Sequence, residues 1–219
     1  EAVRQGMRVS LATPWGRGET LMPVAAEFAV ANVAAAMAAL LTQGHNLRDV
    51  TEAVATMAPV PGRMQVIDGG PKWPRVVVDY AHTPDAIEKA LAALRPQCRG
   101  ELICIVGCGG DRDSGKRAQM GRAAAKGSDR VWFTSDNPRS EDPERILADM
   151  AHGLELPNSQ RVRSEVNRAE AIAVALQSAD PDDILLIAGK GHEQTQEING
   201  EFIPFSDFTV VHDIQGENN

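Results

Sequence analysis

An α/β fold built on a mostly parallel sheet follows from three features of the sequence. Short apolar runs without polar alternation, at 75–78, 102–106, 130–133 and 184–188, read as strands buried on both faces. Helical stretches with clear start signals separate them. Ionisable and glycine-rich residues follow the runs directly, where the carboxyl ends of parallel strands share one edge and bind ligands. The expected architecture is Rossmann-like, with helices on both faces of the sheet.

The elements follow in order. Residues 28–43 predict an alanine-rich helix that stops at Gly44, and 47–57 a second that stops before Pro59. The stretch "APVPGR", 58–63, holds two prolines and a glycine and is expected to be a hinge, dividing the chain into 1–60 and 61–219. "TPDAIEKALAALRP" offers Thr83 as N-cap, Pro84 at the first helical position, and Ile87, Ala90, Leu91 and Leu94 on one face. "DPERILADM" repeats the cap-then-proline start at Asp142 and Pro143. "NRAEAIAVAL" puts Asn167 as cap with Glu170 three residues on, a capping-box pairing. Asn199-Gly200, between two short strand-like runs, predicts a type I′ hairpin. Met120, Met150, Cys104 and Cys108 are expected in the core.

Bulk properties narrow the function. With 219 residues, 43% apolar and 24% charged, the composition is that of a globular protein. A formal net charge of -8 argues against binding nucleic acid or an anionic membrane, which needs a basic face. The longest apolar stretch, 28–41, contains Asn32 and is shorter than the roughly 20 residues that span a bilayer. No secretory signal is evident, and three cysteines without CxxC spacing fit neither a disulfide framework nor a zinc site, so a cytoplasmic location is expected. The chain opens on Glu1 with no recognisable domain start, and is expected to be part of a longer protein.

Four loops carry the chemistry. Asp79-Tyr80-Ala81-His82 follows the first apolar run, "GCGGDRDSGKR" (107–117) the second, Asp136, Asn137, Pro138 and Arg139 the third, and "GKGHE" (189–193) the fourth. "GDRDSGKR" nearly matches a phosphate-binding loop, but Arg117 stands where a Ser or Thr would meet magnesium, and Asp111 and Asp113 add negative charge. Lys116 at a helix start could still reach one phosphate. Asp79 reads equally as a ribose-binding carboxylate or as a helix N-cap. His82 and His192 are by themselves ordinary loop histidines, and two glycines around Lys190 suggest close backbone approach to a neighbour.

Together, "PGRMQVI", "VVVDYAHTPDAIEKAL", "VGCGGDRDSGKR", "SDNPRSEDP" and "LLIAGKGHEQTQ" occur in the order and spacing of the Mur ligases of peptidoglycan synthesis. The resemblance covers roughly residues 20 to 215 and lies nearest the branch that adds meso-diaminopimelate to UDP-N-acetylmuramoyl-L-alanyl-D-glutamate. It implies a C-terminal amino-acid-binding domain over 61–219, preceded over 1–60 by the last helices of a central ATPase domain. It implies small-molecule substrates only, namely the UDP-N-acetylmuramoyl dipeptide, meso-diaminopimelate and ATP, with Mg2+ as cofactor and a monomeric, cytoplasmic enzyme. ATP would meet Asn32, Arg63, Asp79, Tyr80 and His82, with Asp79 on the ribose. Lys116 would carry the catalytic role, reaching the phosphate or product region. Diaminopimelate would be held by Arg112, Asp136, Asn137, Arg139, Gly189 and Glu193. The family's Gly-Lys-Thr phosphate loop, its magnesium-binding acid and histidine, and its modified lysine are not in this sequence, so no metal ligands are expected here and the chain alone should be inactive. Ala29 replaces the family's usual asparagine in Phe-Asn-Val. The implied reaction activates a glutamate carboxylate as an acyl phosphate, which the diaminopimelate amine attacks.

Elementary chemistry fits the third loop to that role. Diaminopimelate differs from lysine by a second carboxylate, which the Arg139 guanidinium can meet as a fork. Arg112 can add charge near the other carboxylate, Glu193 can accept from the distal ammonium, and Asn137 can donate and accept. Pro138 restricts the backbone between them. Two other readings are a non-catalytic sensor of nucleotide or amino acid on the same fold, and a dinucleotide-dependent oxidoreductase. The lack of G-x-G-x-x-G after the first strand speaks against the latter.

Overall fold

The computed structural model describes the chain except residues 4, 5, 153, 155–159, 218 and 219. An N-terminal antiparallel sheet comes first, with strands β1 (Ala2–Val3), β2 (Gly6–Thr13) and β3 (Gly16–Met22). Helices α1 (Glu27–Thr42) and α2 (Leu47–Thr56) follow. Met22, Val24, Met37, Leu41, Val50 and Val54 form a small core between them, with Val9 and Leu11 packed on it. Sequence reasoning assigned no element before residue 28. The Met7, Val9, Leu11 alternation, broken by the turn at Pro14-Trp15, is the period-2 signal of a half-buried hairpin.

The main sheet runs β4 (Gln65–Asp68), β5 (Arg75–Asp79), β6 (Leu102–Val106), β7 (Arg130–Thr134), β8 (Val162–Glu165) and β9 (Ile184–Ala188) in chain order. In space the order is β4-β5-β9-β6-β7-β8, with β4 antiparallel and the other neighbours parallel. The four predicted strands are its centre; the edge strands β4 and β8 are too short and polar to stand out in sequence. Because β9 returns to lie between β5 and β6, the loops after β5, β9, β6 and β7 stand side by side on one edge.

Strand alternation sends side chains to two layers. Val77, Cys104, Val106, Phe133 and Leu186 face α3 (Pro84–Leu94), α4 (Arg117–Gly127) and α5 (Pro143–Ala151), through Ile87, Leu91, Met120, Ile146 and Met150. Val76, Val78, Ile103, Ile105, Trp132 and Ile187 face α6 (Arg168–Gln177) and α7 (Asp207–Glu217), through Ala171, Ile172 and Val211. Each large side chain fully buried here contributes about 1.5–3 kcal/mol.

The caps position the loops. The Thr83 hydroxyl accepts from the Ala86 N–H, and the Asp142 carboxylate from the Glu144 N–H at 3.0 Å. Asn167 Oδ1 accepts from the N–H groups of Ala169 and Glu170, as predicted, but the return bond to the Asn167 N–H comes from Glu165 rather than Glu170. The capping box is thus closed from the strand side. Strands β10 (Thr195–Ile198) and β11 (Glu201–Pro204) form the expected hairpin, with φ of 51° at Asn199 and 81° at Gly200 as a type I′ turn requires.

Candidate functional site

Two adjoining clefts open on the loop edge. The first, about 450 Å³, is polar and draws on all four loops. Arg112, Lys116, Asp136, Asn137, Arg139, Gly189 and Glu193 line it, together with Tyr80 and His82. The second, about 530 Å³, is largely apolar and lies between α1, the 57–64 turn and the end of β5. Asn32, Arg63 and Asp79 line it, and Tyr80 and His82 line it too. Every residue that the family resemblance places at a ligand therefore borders one cleft or the other.

In the polar cleft, Asn137 Oδ1 accepts from Lys190 Nζ and from the Glu197 N–H, both at 3.0 Å. Asn137 Nδ2 donates to Glu193 Oε2 at 2.9 Å, and Lys190 Nζ donates to the same oxygen at 2.9 Å. Burial works against the Glu193 carboxylate, but Asn137 and Lys190 outweigh it and hold its pKa below the ordinary value. Asp136 is buried, and burial raises its pKa against the pull of Arg168 and Lys190. A Cβ at Gly189, where φ is +113°, would stand 2.5 Å from Asp136 Oδ2, so only glycine lets the fourth loop close onto the third.

Arg139 has a φ of 53° and is stitched to the β10–β11 hairpin: its N–H donates to the Glu197 carbonyl at 3.0 Å and its carbonyl accepts from the Asn199 N–H at 2.7 Å. Its Nε meets Glu197 Oε2 at 2.9 Å, and Nη1 donates to the Gly110 carbonyl at 2.8 Å. The guanidinium fork is thus half engaged within the protein, leaving Nη2 without a partner among the described residues. Arg112 lines the cleft with no ion pair among the described residues.

Three N–H groups of the glycine-rich loop are spent within the protein and not left for a phosphate. The Gly110 N–H donates to the Asn137 carbonyl at 2.9 Å, the Asp111 N–H to Glu141, and the Gly115 N–H to Asp113 Oδ1 at 3.0 Å. Arg117 is buried and spans Glu141 at 2.7 Å and Asp149 at 2.9 Å, fastening α4 to the next loop and helix. Lys116 is half-exposed beside Asp113, at 3.9 Å.

In the apolar cleft, Asp79 Oδ2 accepts from the Met64 N–H at 2.7 Å. Burial raises the Asp79 pKa, opposed by the N–H groups of Met64, Ala81 and Tyr80. The N-cap reading of Asp79 falls, because Thr83 caps α3. Tyr80 is the wall between the clefts. The Arg63 guanidinium lies 4.8 Å from its ring centroid, His82 packs edge-on at 4.7 Å, and His192 lies at 5.5 Å.

Some structural residues escaped sequence reasoning. Arg168 is fully buried and paired with Asp207 at 2.7 Å, and it donates to the carbonyls of Ser135 and Ala188 beneath two site loops. In sequence Lys190 stands out only by its flanking glycines, and Glu197 by nothing. Cys104 and Cys108 are core thiols as expected, pushed up to about 12 by burial.

Comparison with known proteins agrees with this architecture. The family profile described as Mur ligase, glutamate ligase domain, matches residues 62–191. The chain belongs to the Mur ligase family. It is 45% identical over 207 residues, or 94% of its length, to the UDP-N-acetylmuramoyl-L-alanyl-D-glutamate--2,6-diaminopimelate ligase of Coxiella burnetii (strain RSA 493 / Nine Mile phase I). It is 46% identical over 213 residues to the enzyme of the same name from Chromobacterium violaceum, covering 96% of this chain. It spans 42% of the length of each relative. A solved structure of a ligase of that name superposes with a TM-score of 0.74 at 40% identity, covering 98% of this chain and 43% of that one. A folylpolyglutamate synthase from Thermotoga maritima, 19% identical with a TM-score of 0.64 over 84% of this chain and 41% of that one, shares the fold. Among the described residues no helix is long and apolar enough to cross a membrane.

Proposed function

We propose that the chain supplies the amino-acid site and one wall of the nucleotide site of an ATP-dependent ligase that adds meso-diaminopimelate to UDP-N-acetylmuramoyl-L-alanyl-D-glutamate. Residues 61–219 are read as the amino-acid-binding domain and 1–60 as the end of a central ATPase domain. The observation that carries the proposal is the convergence of Arg112, Asn137, Arg139 and Glu193 from three strand-end loops on one polar cleft, beside an apolar cleft edged by Asp79. The named activity of relatives 45% and 46% identical supports it.

The residues fit the ligands. In the polar cleft, Arg139 Nη2 and Arg112 supply positive charge for two carboxylates, and the Glu193 carboxylate, ionised at neutral pH, accepts from an ammonium. The apolar cleft has Phe28, Val33, Val60 and Met64 for a flat purine, with Asn32 and Asp79 for its polar edges and a ribose. When bound, ATP supplies the phosphoryl group that activates the acceptor carboxylate. Lys116, at the mouth of the polar cleft, is placed to offset negative charge there. Among the described residues, no three His, Cys, Asp or Glu side chains gather to hold a metal ion.

ADP release tests the proposal. The complete parent protein, given ATP and the UDP-linked dipeptide, is expected to turn over with meso-diaminopimelate and far less with L-lysine, and the isolated chain to show no turnover. Diaminopimelate binding without turnover by the parent would favour a sensor, and turnover by the isolated chain would show that the phosphoryl-transfer site is misplaced.

A further inference from the structure

Behind the wall of the polar cleft lies a charged group that the proposed function leaves unused, bonded to the lining residues Asn137 and Glu193. Lys190 is fully buried, at 0% exposure, in the loop after β9. A buried ammonium is costly unless it is paired and hydrogen-bonded. Its pairing is specific. Nζ reaches Asn137 Oδ1 at 3.0 Å and Glu193 Oε2 at 2.9 Å, and these two residues also bond each other at 2.9 Å. The three side chains close a triangle.

The triangle has a consequence for what the cleft offers. An asparagine amide can present either its carbonyl or its N–H groups. Here Oδ1 is occupied by two donors, Lys190 Nζ and the Glu197 N–H. The amide is therefore fixed with its nitrogen toward Glu193, and Nδ2 keeps a second N–H beyond the one given to Glu193. Glu193 is held through Oε2 alone, and its Oε1 has no partner among the described residues. An acceptor oxygen and a donor N–H are thus left beside each other, complementary to the ammonium and carboxylate of one amino-acid head.

We infer that Lys190 is a positioning and specificity-determining residue, whose buried ammonium fixes Asn137 as donor and Glu193 as acceptor for an α-amino-acid head group. This rests on the polar cleft being the amino-acid site. Lys190 need not touch the substrate. Its removal would take away one of the two donors that hold Asn137 Oδ1, leaving the Glu197 N–H as the other, and would leave the Glu193 charge without its cation, free to repel a carboxylate.

The test uses the complete parent enzyme and its Lys190→Met, Lys190→Gln and Asn137→Ala variants. Steady-state kinetics are measured with meso-diaminopimelate and with ATP varied separately, and folding is followed by the melting temperature. Lys190→Met should raise the KM for diaminopimelate by about 10- to 100-fold, the range for a lost hydrogen bond to a charged group. Turnover at saturating amino acid and the KM for ATP should change far less. Lys190→Gln keeps a donor without the charge and should fall between wild type and Lys190→Met; it is also the variant to read if Lys190→Met does not fold. If Lys190 acts through Asn137, combining Lys190→Met or Lys190→Gln with Asn137→Ala should give less than the product of the single effects. An unchanged KM for diaminopimelate, equal rises for both substrates, or fully multiplicative effects would overturn the inference. Failure of the wild-type parent to use diaminopimelate would instead overturn the assignment of the cleft.

Discussion

Asp79 shows how one side chain's role can be separated from its structural use. Its Oδ2 already accepts from the Met64 N–H, which ties the 57–64 turn to the end of β5. Asp79→Asn keeps an acceptor there and removes the charge a ribose would meet. In the parent enzyme it should raise the KM for ATP by about 10- to 100-fold with little change in melting temperature. A loss of thermal stability with ATP dependence intact would make Asp79 a structural residue only. Gly189→Ala tests the closure of the third loop against the fourth. A methyl group 2.5 Å from Asp136 Oδ2, at a φ of +113°, should destabilise the fold by more than about 1 kcal/mol, seen as a lower melting temperature. Most residues lining the polar cleft were legible because they lie in loops that follow a strand's end, whereas Asn32, inside α1, and Arg63, before β4, were reached only through the family resemblance. The engagement of Arg139 by Glu197 was not legible, because that contact depends on where a hairpin 58 residues away folds back.

Among the elements, the central strands and capped helices were readable from local signals: unbroken apolar runs, Thr83 and Asp142 before prolines, and Asn199-Gly200 in the hairpin. The β2–β3 hairpin was overlooked although its alternation was present, and β4 and β8 carry too few apolar residues to announce themselves. The link between α6 and α7 had no sequence signal at all. Arg168 and Asp207 are 39 positions apart, and each looks like an ordinary surface charge until folding buries both. Asp207→Ala would leave the guanidinium buried without its anion, a change that typically costs about 3–5 kcal/mol. Denaturant titration should report that loss. An effect below about 1 kcal/mol would show that Arg168 is solvated and not sealed in the core. Because Arg168 also holds the carbonyls of Ser135 and Ala188, the variant should loosen the polar cleft before it unfolds the sheet.

Across the whole molecule, charge placement ties stability to pH. Arg117 holds Glu141 below the ordinary carboxylate range, and Asn137 and Lys190 hold Glu193 there against its burial. A carboxylate lowered in the folded state stabilises fully above its unfolded value, about 4.3 for glutamate, and loses that contribution as pH falls through the folded value. The melting temperature of Glu141→Gln should therefore lie below wild type at neutral pH, and the two should converge as pH falls below the unfolded value and through the folded one. A constant gap would mean that the Glu141 charge is not what Arg117 needs. Asp79 and Asp136, raised by burial, act in the opposite sense, their penalty appearing as pH rises through the unfolded and then the folded value. The molecule as a whole presents two clefts divided by Tyr80 and His82, and the central claim is that the polar one selects the amino acid. The most direct test is kcat/KM of the parent enzyme for meso-diaminopimelate and for L-lysine, in wild type and in Arg139→Ala. Losing one partner of a desolvated charge pair costs about 2–5 kcal/mol, or roughly 30-fold to several-thousand-fold. The account predicts a loss of that order for diaminopimelate, a much smaller one for lysine, and a nearly unchanged KM for ATP. Equal losses for the two amino acids would contradict it, leaving Arg139 as a brace between Gly110 and Glu197.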